Sequence, residues 1–109
     1  MSELNEKKLL SSLGLCARAG KLIFGVPMIC EAMRRGGASA PSIVLEASDT
    51  SENTHKKISD KCIYYNVKHI RLGATCEILG RAVGKRATAA VAITDQNFCR
   101  AILGKINES

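Results

Sequence analysis

A short segment around Gly25 has the residue types that could bind an anion. The apolar residues 22–24 predict a short strand, and the residues after Gly25 predict a helix. Gly25 allows a sharp turn, and Pro27 suits the first helical position, where its missing N–H costs nothing. The free N–H groups at such a helix start, flanked by Arg18 and Lys21, suit phosphate. The same pattern also occurs as an ordinary strand–turn–helix unit of an α/β domain.

A second candidate segment covers residues 84–90. It begins with Gly84 and the cations Lys85 and Arg86, and small residues follow that would let an RNA backbone or a splayed base approach closely. Whether the two segments are neighbours depends on topology. In an all-parallel sheet they lie at opposite edges, whereas an antiparallel last strand brings them together.

Other chemistries find little support. Gly-Lys occurs twice, but neither copy has the glycine spacing and the following Ser or Thr of a nucleotide-hydrolase phosphate loop. His55 and His69 show no paired ligand spacing, and we expect His55 on a solvated helix face. Glu46, Asp49 and Glu52 surround one loop, where acids are usually turn formers and caps. We therefore expect no catalytic residue, no metal site, no cofactor and no small-molecule substrate.

The composition favours a nucleic-acid partner. The 109 residues carry a net charge of +6 and a pI near 9.3, although such an excess can also serve solubility. Five cysteines without a Cys-x-x-Cys pair indicate reduced thiols of a cytoplasmic protein rather than zinc or disulfide sites. We find no signal peptide and no apolar run of the ~20 residues that a membrane span requires. We expect one domain over residues 1–109.

Alternating helical and strand patterns predict an α/β fold. We expect a first helix over residues 2–19 and later strands over residues 43–45, 67–72 and 89–93, with Asp95 capping the last helix. The fourth helix is predicted to point four residues inward: Ile78, Leu79, Ala82 and Val83. The order α-β-α-β-α-β-α-β-α implies a sheet with helices on both faces, a three-layer sandwich.

The aromatic residues indicate which kind of RNA could bind. The chain has two Phe, two Tyr and no Trp. We expect Tyr65 and Phe98 to be buried, which leaves too few exposed rings for a sheet that stacks bases. Folded RNA, held by its shape and backbone, therefore fits better than single strands.

Across nearly its whole length the sequence resembles a known superfamily. The segments that carry the resemblance are LGLCARAGKLIFG (residues 13–25), the helix closing in Arg-Arg-Gly at Gly36, SENTHKKISDKCIYYNV (51–67), LGRAVGKRA (79–87) and the strand end Ile93-Thr94-Asp95. Together they are similar to the kink-turn RNA-binding ribosomal proteins of the "L-seven-Ae" and "L-thirty-e" type, and most of all to the small bacterial YlxQ-like branch.

The resemblance implies an α/β/α sandwich with a mixed four-stranded sheet whose last strand is antiparallel. It implies a non-enzymatic protein that binds structured RNA, with rRNA and the ribosome as the natural candidates. In relatives, the helix after the glycine reads tandem G·A pairs of a kink-turn and the last loop covers the bulged nucleotides. With Arg18 from the charge pattern, the expected RNA-binding residues are Lys21, Gly25, Val26, Pro27, Met28, Glu31, Lys85, Arg86, Thr88, Ala89 and Ala90.

Three positions depart from the pattern that the resemblance implies. Archaeal and eukaryotic relatives place Asn-Glu where this chain has Pro27 and Met28, and Lys where it has Glu31, which we expect to repel phosphate. Kink-turn specificity is therefore left open. One alternative is a protein-interaction adaptor that uses the apolar rim of Val26, Pro27, Met28 and Ala89. A second alternative is a domain of an enzyme, similar to the RNA-docking domain of some rRNA ribose methyltransferases. We do not expect this alternative, because no cofactor-binding domain follows Ser109.

Overall fold

The computed structural model describes the backbone of residues 3–107 and the side chains of residues 5–104. Ten elements follow one another: α1 (Glu3–Arg18), β1 (Leu22–Phe24), α2 (Val26–Arg35), a 3₁₀ turn (Gly37–Ser39), β2 (Ile43–Glu46), α3 (Glu52–Tyr64), β3 (Lys68–Arg71), α4 (Cys76–Ala82), β4 (Ala90–Ile93) and α5 (Gln96–Asn107). The predicted order of helices and strands is confirmed. The predicted start of the first helix at Ser2 lies outside the described residues.

The four strands form one mixed sheet in the order β1-β4-β2-β3. β2 and β3 are parallel, and β4 runs antiparallel to both of its neighbours, β1 and β2. The chain therefore places its last strand in the interior of the sheet. The expected antiparallel last strand is confirmed.

Alternating side chains of β4 divide the core between two layers of helices. Val91 and Ile93 belong to the apolar cluster that includes residues of α1, α4 and α5. Ala90 and Ala92 belong to the cluster on the other face, which includes residues of α2 and α3. All four are buried, as expected for an interior strand covered on both faces. The α/β/α sandwich follows from this two-sided burial.

The predicted inward face of α4 is wrong at Ile78, which is 47% exposed. The stripe that faces the core runs instead through Leu79 and Val83, which are four positions apart. Ile78 lies next to Leu79 in sequence, so it is rotated by about 100° away from this stripe. The buried face of α4 turns the other way, toward Gly80, which follows Leu79 and is also buried.

Polar side chains cap the starts of α4 and α5. Thr75 accepts a hydrogen bond from the backbone N–H of Ile78 at the start of α4. Asp95 accepts from the N–H groups of Asn97 and Phe98, which confirms the predicted cap of α5. Within the described residues, no helix has the length and apolar character needed to cross a bilayer.

Candidate functional site

The two candidate segments meet at one end of the sheet. The backbone N–H of Gly25 donates a hydrogen bond to the carbonyl oxygen of Ala90, with an N···O distance of 3.2 Å. Because β1 and β4 are antiparallel, the end of β1 lies beside the beginning of β4. The start of α2 and the segment 84–90 therefore form one continuous surface, which we call the α2–loop surface.

The start of α2 leaves its backbone amides without a capping side chain among the described residues. Gly25 occupies the N-cap position with φ 83° and ψ 148°, a conformation that side-chain-bearing residues rarely adopt. Pro27 occupies the first turn and donates no hydrogen bond. Pro27 and Met28 are exposed, and Met28 reaches 61%. The positive end of the helix dipole is accordingly open to solvent.

The segment 84–90 is held in place by contacts with residues of β1 and α4 and with the residue that follows β2. The Lys85 Nζ atom lies 4.7 Å from the centroid of the Phe24 ring, within range of a cation–π interaction. The backbone N–H of Thr88 donates to the carbonyl oxygen of Cys76, and that of Ala47 donates to Ala89. Arg86 is exposed beside Lys85. The two cations therefore stand on a supported loop, and Lys85 lies beside Phe24, the residue that precedes Gly25.

Arg18 and Lys21 lie on different sides of this arrangement. Arg18, Arg81 and Gly84 share the lining of a groove of about 310 Å³, so Arg18 borders the 84–90 segment. Lys21 precedes β1, and its Nζ atom lies 3.8 Å from a carboxylate oxygen of Asp95. Along the length of β1, roughly 13 Å separate Lys21 from Gly25. Arg18 therefore borders the α2–loop surface, whereas Lys21 stands at the far end of β1.

Glu31, which we expect to repel phosphate, is paired with two arginines of its own helix. Its carboxylate accepts hydrogen bonds from the Arg34 guanidinium at 2.6 and 3.1 Å and from Arg35 at 3.2 Å. The hydrogen bond from Arg34 lowers the pKa of Glu31. Both arginines lie one turn further along α2, so the carboxylate turns away from the helix start. Its charge is balanced within the helix.

The structure also assembles a polar cluster that the sequence did not reveal. His55 lies only partly on the solvated helix face that we predict: its side chain is 39% exposed, and its Nδ1 atom points inward, 2.9 Å from Glu46 Oε1. His69 Nε2 lies 2.7 Å from the same oxygen. Burial would raise the pKa of Glu46, but hydrogen bonds from Thr50, His55 and His69 outweigh this and lower it. Glu46 is a buried end-of-strand residue, not the loop acid that we expected.

Two residues that border the α2–loop surface have no predicted role in the sequence. Phe24 was assigned to a strand without a role, yet its ring supports Lys85. Arg81 of α4 lines the groove with Arg18, and no sequence pattern predicts this role. The Gly84-Lys85-Arg86 motif signalled a basic loop, but no local signal shows which distant residues the loop contacts.

Comparisons with known proteins agree on one family. The model of the Ribosomal protein L7Ae/L30e/S12e/Gadd45 family matches residues 7–103. The RNA-binding protein YlxQ of Bacillus subtilis (strain 168) is 37% identical over 95 residues, which cover 87% of this chain and 91% of that protein. The RNA-binding protein YlxQ of Enterococcus faecium is 38% identical over 100 residues, which cover 92% of each.

Solved structures share the same fold. A protein of unknown function from Bacillus halodurans superimposes with a TM-score of 0.83 at 35% identity, over 93% of this chain and 98% of that one. The 15.5 kD RNA-binding protein of Giardia lamblia superimposes with a TM-score of 0.76 at 19% identity, over 97% of this chain and 90% of that one. This chain therefore belongs to the Ribosomal protein L7Ae/L30e/S12e/Gadd45 family, in its YlxQ-like branch.

Proposed function

We propose that this protein binds structured RNA through the α2–loop surface. The observation that carries the proposal is the hydrogen bond between Gly25 and Ala90, which joins the open helix start to the loop of Lys85 and Arg86. The YlxQ proteins of Bacillus subtilis and Enterococcus faecium, which are named RNA-binding proteins, support it. As the family model describes ribosomal proteins, rRNA is our first candidate.

On this surface, charge and shape have different roles in RNA recognition. Lys85 and Arg86, with Arg18 at the border, supply the positive charge that attracts phosphates. The uncapped amides at the start of α2 suit a phosphate oxygen of the RNA backbone, but Pro27 and Met28 offer no side-chain hydrogen bond to a base edge. We therefore propose that the protein prefers a kink-turn to a duplex by groove shape and backbone contacts.

The first experiment tests preference for a bent RNA. Binding of a kink-turn RNA and of a duplex with equal length is titrated at several salt concentrations by fluorescence anisotropy. We expect tighter binding of the kink-turn at every salt concentration. Equal affinities for the kink-turn RNA and the duplex would be consistent with RNA binding but would contradict the preference for a kink-turn.

The second experiment tests the surface itself. Lys85→Ala should lower affinity and reduce the slope of log K against log salt by roughly one unit per lost phosphate contact. Lys61→Ala is the matched control, because Lys61 is exposed near the end of α3, at the opposite end of the sheet. Lys21→Ala should have less effect than Lys85→Ala, because Lys21 is paired with Asp95. An unchanged slope in Lys85→Ala, or the same loss in Lys61→Ala, would contradict the proposed surface.

A further inference from the structure

Three side chains from three elements converge at the end of β2, and we call them the Glu46 cluster: Glu46, His55 and His69. Glu46 ends β2, His55 lies in the first turns of α3, and His69 lies in β3. One possible ligand atom from each residue lies within 4.8 Å of both others. The donor set is two imidazole nitrogens and one carboxylate.

The topology explains why these residues meet. In the parallel pair, Val44 is opposite His69 and Glu46 is opposite Arg71. Because side chains two apart share a face, Glu46 and His69 point to the same side of the sheet. That side also receives α3, since Val44 packs in one cluster with Ile58 of that helix. His55, three residues before Ile58, lies on the same face of α3.

The cluster is sheltered but reachable from solvent. The Glu46 side chain is fully buried, His69 is 16% exposed and His55 is 39% exposed. His55 Nδ1 lies 2.9 and 3.0 Å from the two carboxylate oxygens, and His69 Nε2 lies 2.7 Å from Oε1. The three groups therefore stay in contact while one edge of the cluster faces water.

We propose that the Glu46 cluster binds a divalent transition-metal ion of the zinc class through His55 Nδ1, His69 Nε2 and the Glu46 carboxylate. Imidazole and carboxylate are ligands that Zn²⁺ accepts, at about 2.0–2.2 Å. Three protein ligands leave a fourth position, which the exposed side at His55 opens to water. The proposal does not depend on RNA binding.

Metal binding requires the three ligand groups to rearrange. Ligand atoms around a tetrahedral Zn²⁺ lie about 3.3 Å apart at these bond lengths. The His–Glu46 separations must therefore lengthen by roughly 0.3–0.6 Å, and the two ring nitrogens, which lie within 4.8 Å of each other, must also reach this spacing. His55 is the most exposed of the three and can supply most of that shift. Each ring then carries its proton on the nitrogen that does not bind the metal.

Arg71 pairs with the carboxylate of the Glu46 cluster. Its Nε atom lies 3.7 Å from Glu46 Oε2, and its Nη2 atom donates to the Ser48 carbonyl and to Thr50 Oγ1. The last two contacts can hold Arg71 in place when the carboxylate turns to a metal. Its positive charge opposes a cation, so its removal should not weaken metal binding.

Zinc binding by the purified full chain tests the proposal. Affinity is measured by competition with a chromophoric chelator, and Co²⁺ is titrated in parallel to report the ligand type from its absorption spectrum. We expect one ion per chain and a cobalt spectrum without a thiolate charge-transfer band. His69→Asn and His55→Asn should each weaken zinc binding at least roughly tenfold. Arg71→Gln, the matched control, should retain or improve it.

The possible outcomes distinguish a specific zinc site at the Glu46 cluster from adventitious zinc binding elsewhere. His55 is exposed enough that His55→Asn should not disturb the core, so a loss of zinc binding in this variant is not explained by misfolding. Circular dichroism checks the fold of each variant. Zinc affinity unchanged in the double variant His55→Asn/His69→Asn would overturn the proposal. A thiolate band with Co²⁺ would also overturn it, because it would assign the ion to the cysteines.

Discussion

Among single residues, Asp49 and Cys76 show how contacts far apart in sequence change chemistry. Asp49 accepts a hydrogen bond of 2.7 Å from the backbone N–H of Cys76, the first residue of α4. Burial, and then the hydrogen bond and charge of Asp49, raise the pKa of the Cys76 thiol to about 11. At pH 8 only about one such thiol in a thousand is the reactive thiolate.

Asp49→Asn should increase the alkylation rate of Cys76. The amide keeps an oxygen acceptor for the Cys76 N–H but removes the negative charge, so the pKa falls and the thiolate fraction rises roughly tenfold per pKa unit. In the wild type, the rate should keep rising with pH up to about 11. Peptide mapping after timed iodoacetamide treatment measures it, with buried Cys99 as the internal control. An unchanged Cys76 rate would contradict the role of Asp49.

Between elements, Gly80 sets how closely the 84–90 segment approaches α4. A Cβ atom added at Gly80 would lie 2.5 Å from Ala87 Cα and 2.7 Å from Ala87 N. Both contacts are with backbone, which cannot move without shifting the loop that carries Lys85 and Arg86. The short helix thus positions the basic loop by the absence of a side chain.

Gly80→Ala should destabilise the protein although Ala favours helices. The overpacked contact costs about 1–3 kcal/mol, against a helix-propensity gain of about 1 kcal/mol. Amide chemical shifts of residues 84–90 should also move. Gly104→Ala in α5 is the control, because a Cβ there meets nothing within 4 Å and should stabilise by about 0.5–1 kcal/mol. Thermal melts that rank the two variants in the opposite order would contradict this role of Gly80.

In the whole molecule, β4 joins the two halves of the sandwich. It pairs with β1 on one side and β2 on the other, and Ile93 is opposite both Leu22 and Ile43. The strand also sends alternate side chains into the two apolar clusters. Loss of packing at β4 should therefore lower the free energy of unfolding of the whole chain.

Ile93→Ala should destabilise the whole chain by about 2–5 kcal/mol, because it leaves a cavity at a fully buried position. The melting temperature should fall by roughly 10 °C or more. Ile63→Ala is the matched control, because Ile63 is 76% exposed and its loss should change stability by about 0.5 kcal/mol or less. Denaturant unfolding measures both variants, and similar losses would show that burial at β4 does not dominate stability.

Much of the fold could be predicted from the sequence because its signals are local. Helical spacing predicts an apolar stripe in the first helix, formed by Leu9, Leu10, Leu13, Cys16 and Ala17. In α1, Leu9, Leu13 and Cys16 are fully buried, and Leu10 and Ala17 are partly buried against the core. Asp95 predicted a helix start, because a cap contacts backbone only two or three residues away. The whole-chain resemblance added the antiparallel last strand, which periodicity left open.

The tertiary structure decided which distant residues became neighbours. The antiparallel pairing of β1 with β4 placed Gly25 beside Ala90 and left Lys21 with Asp95 at the other end of the strand. The parallel register of β2 and β3 turned His69 toward Glu46. Strand pairing depends on hydrogen bonds between segments tens of residues apart, and local periodicity does not encode direction or register.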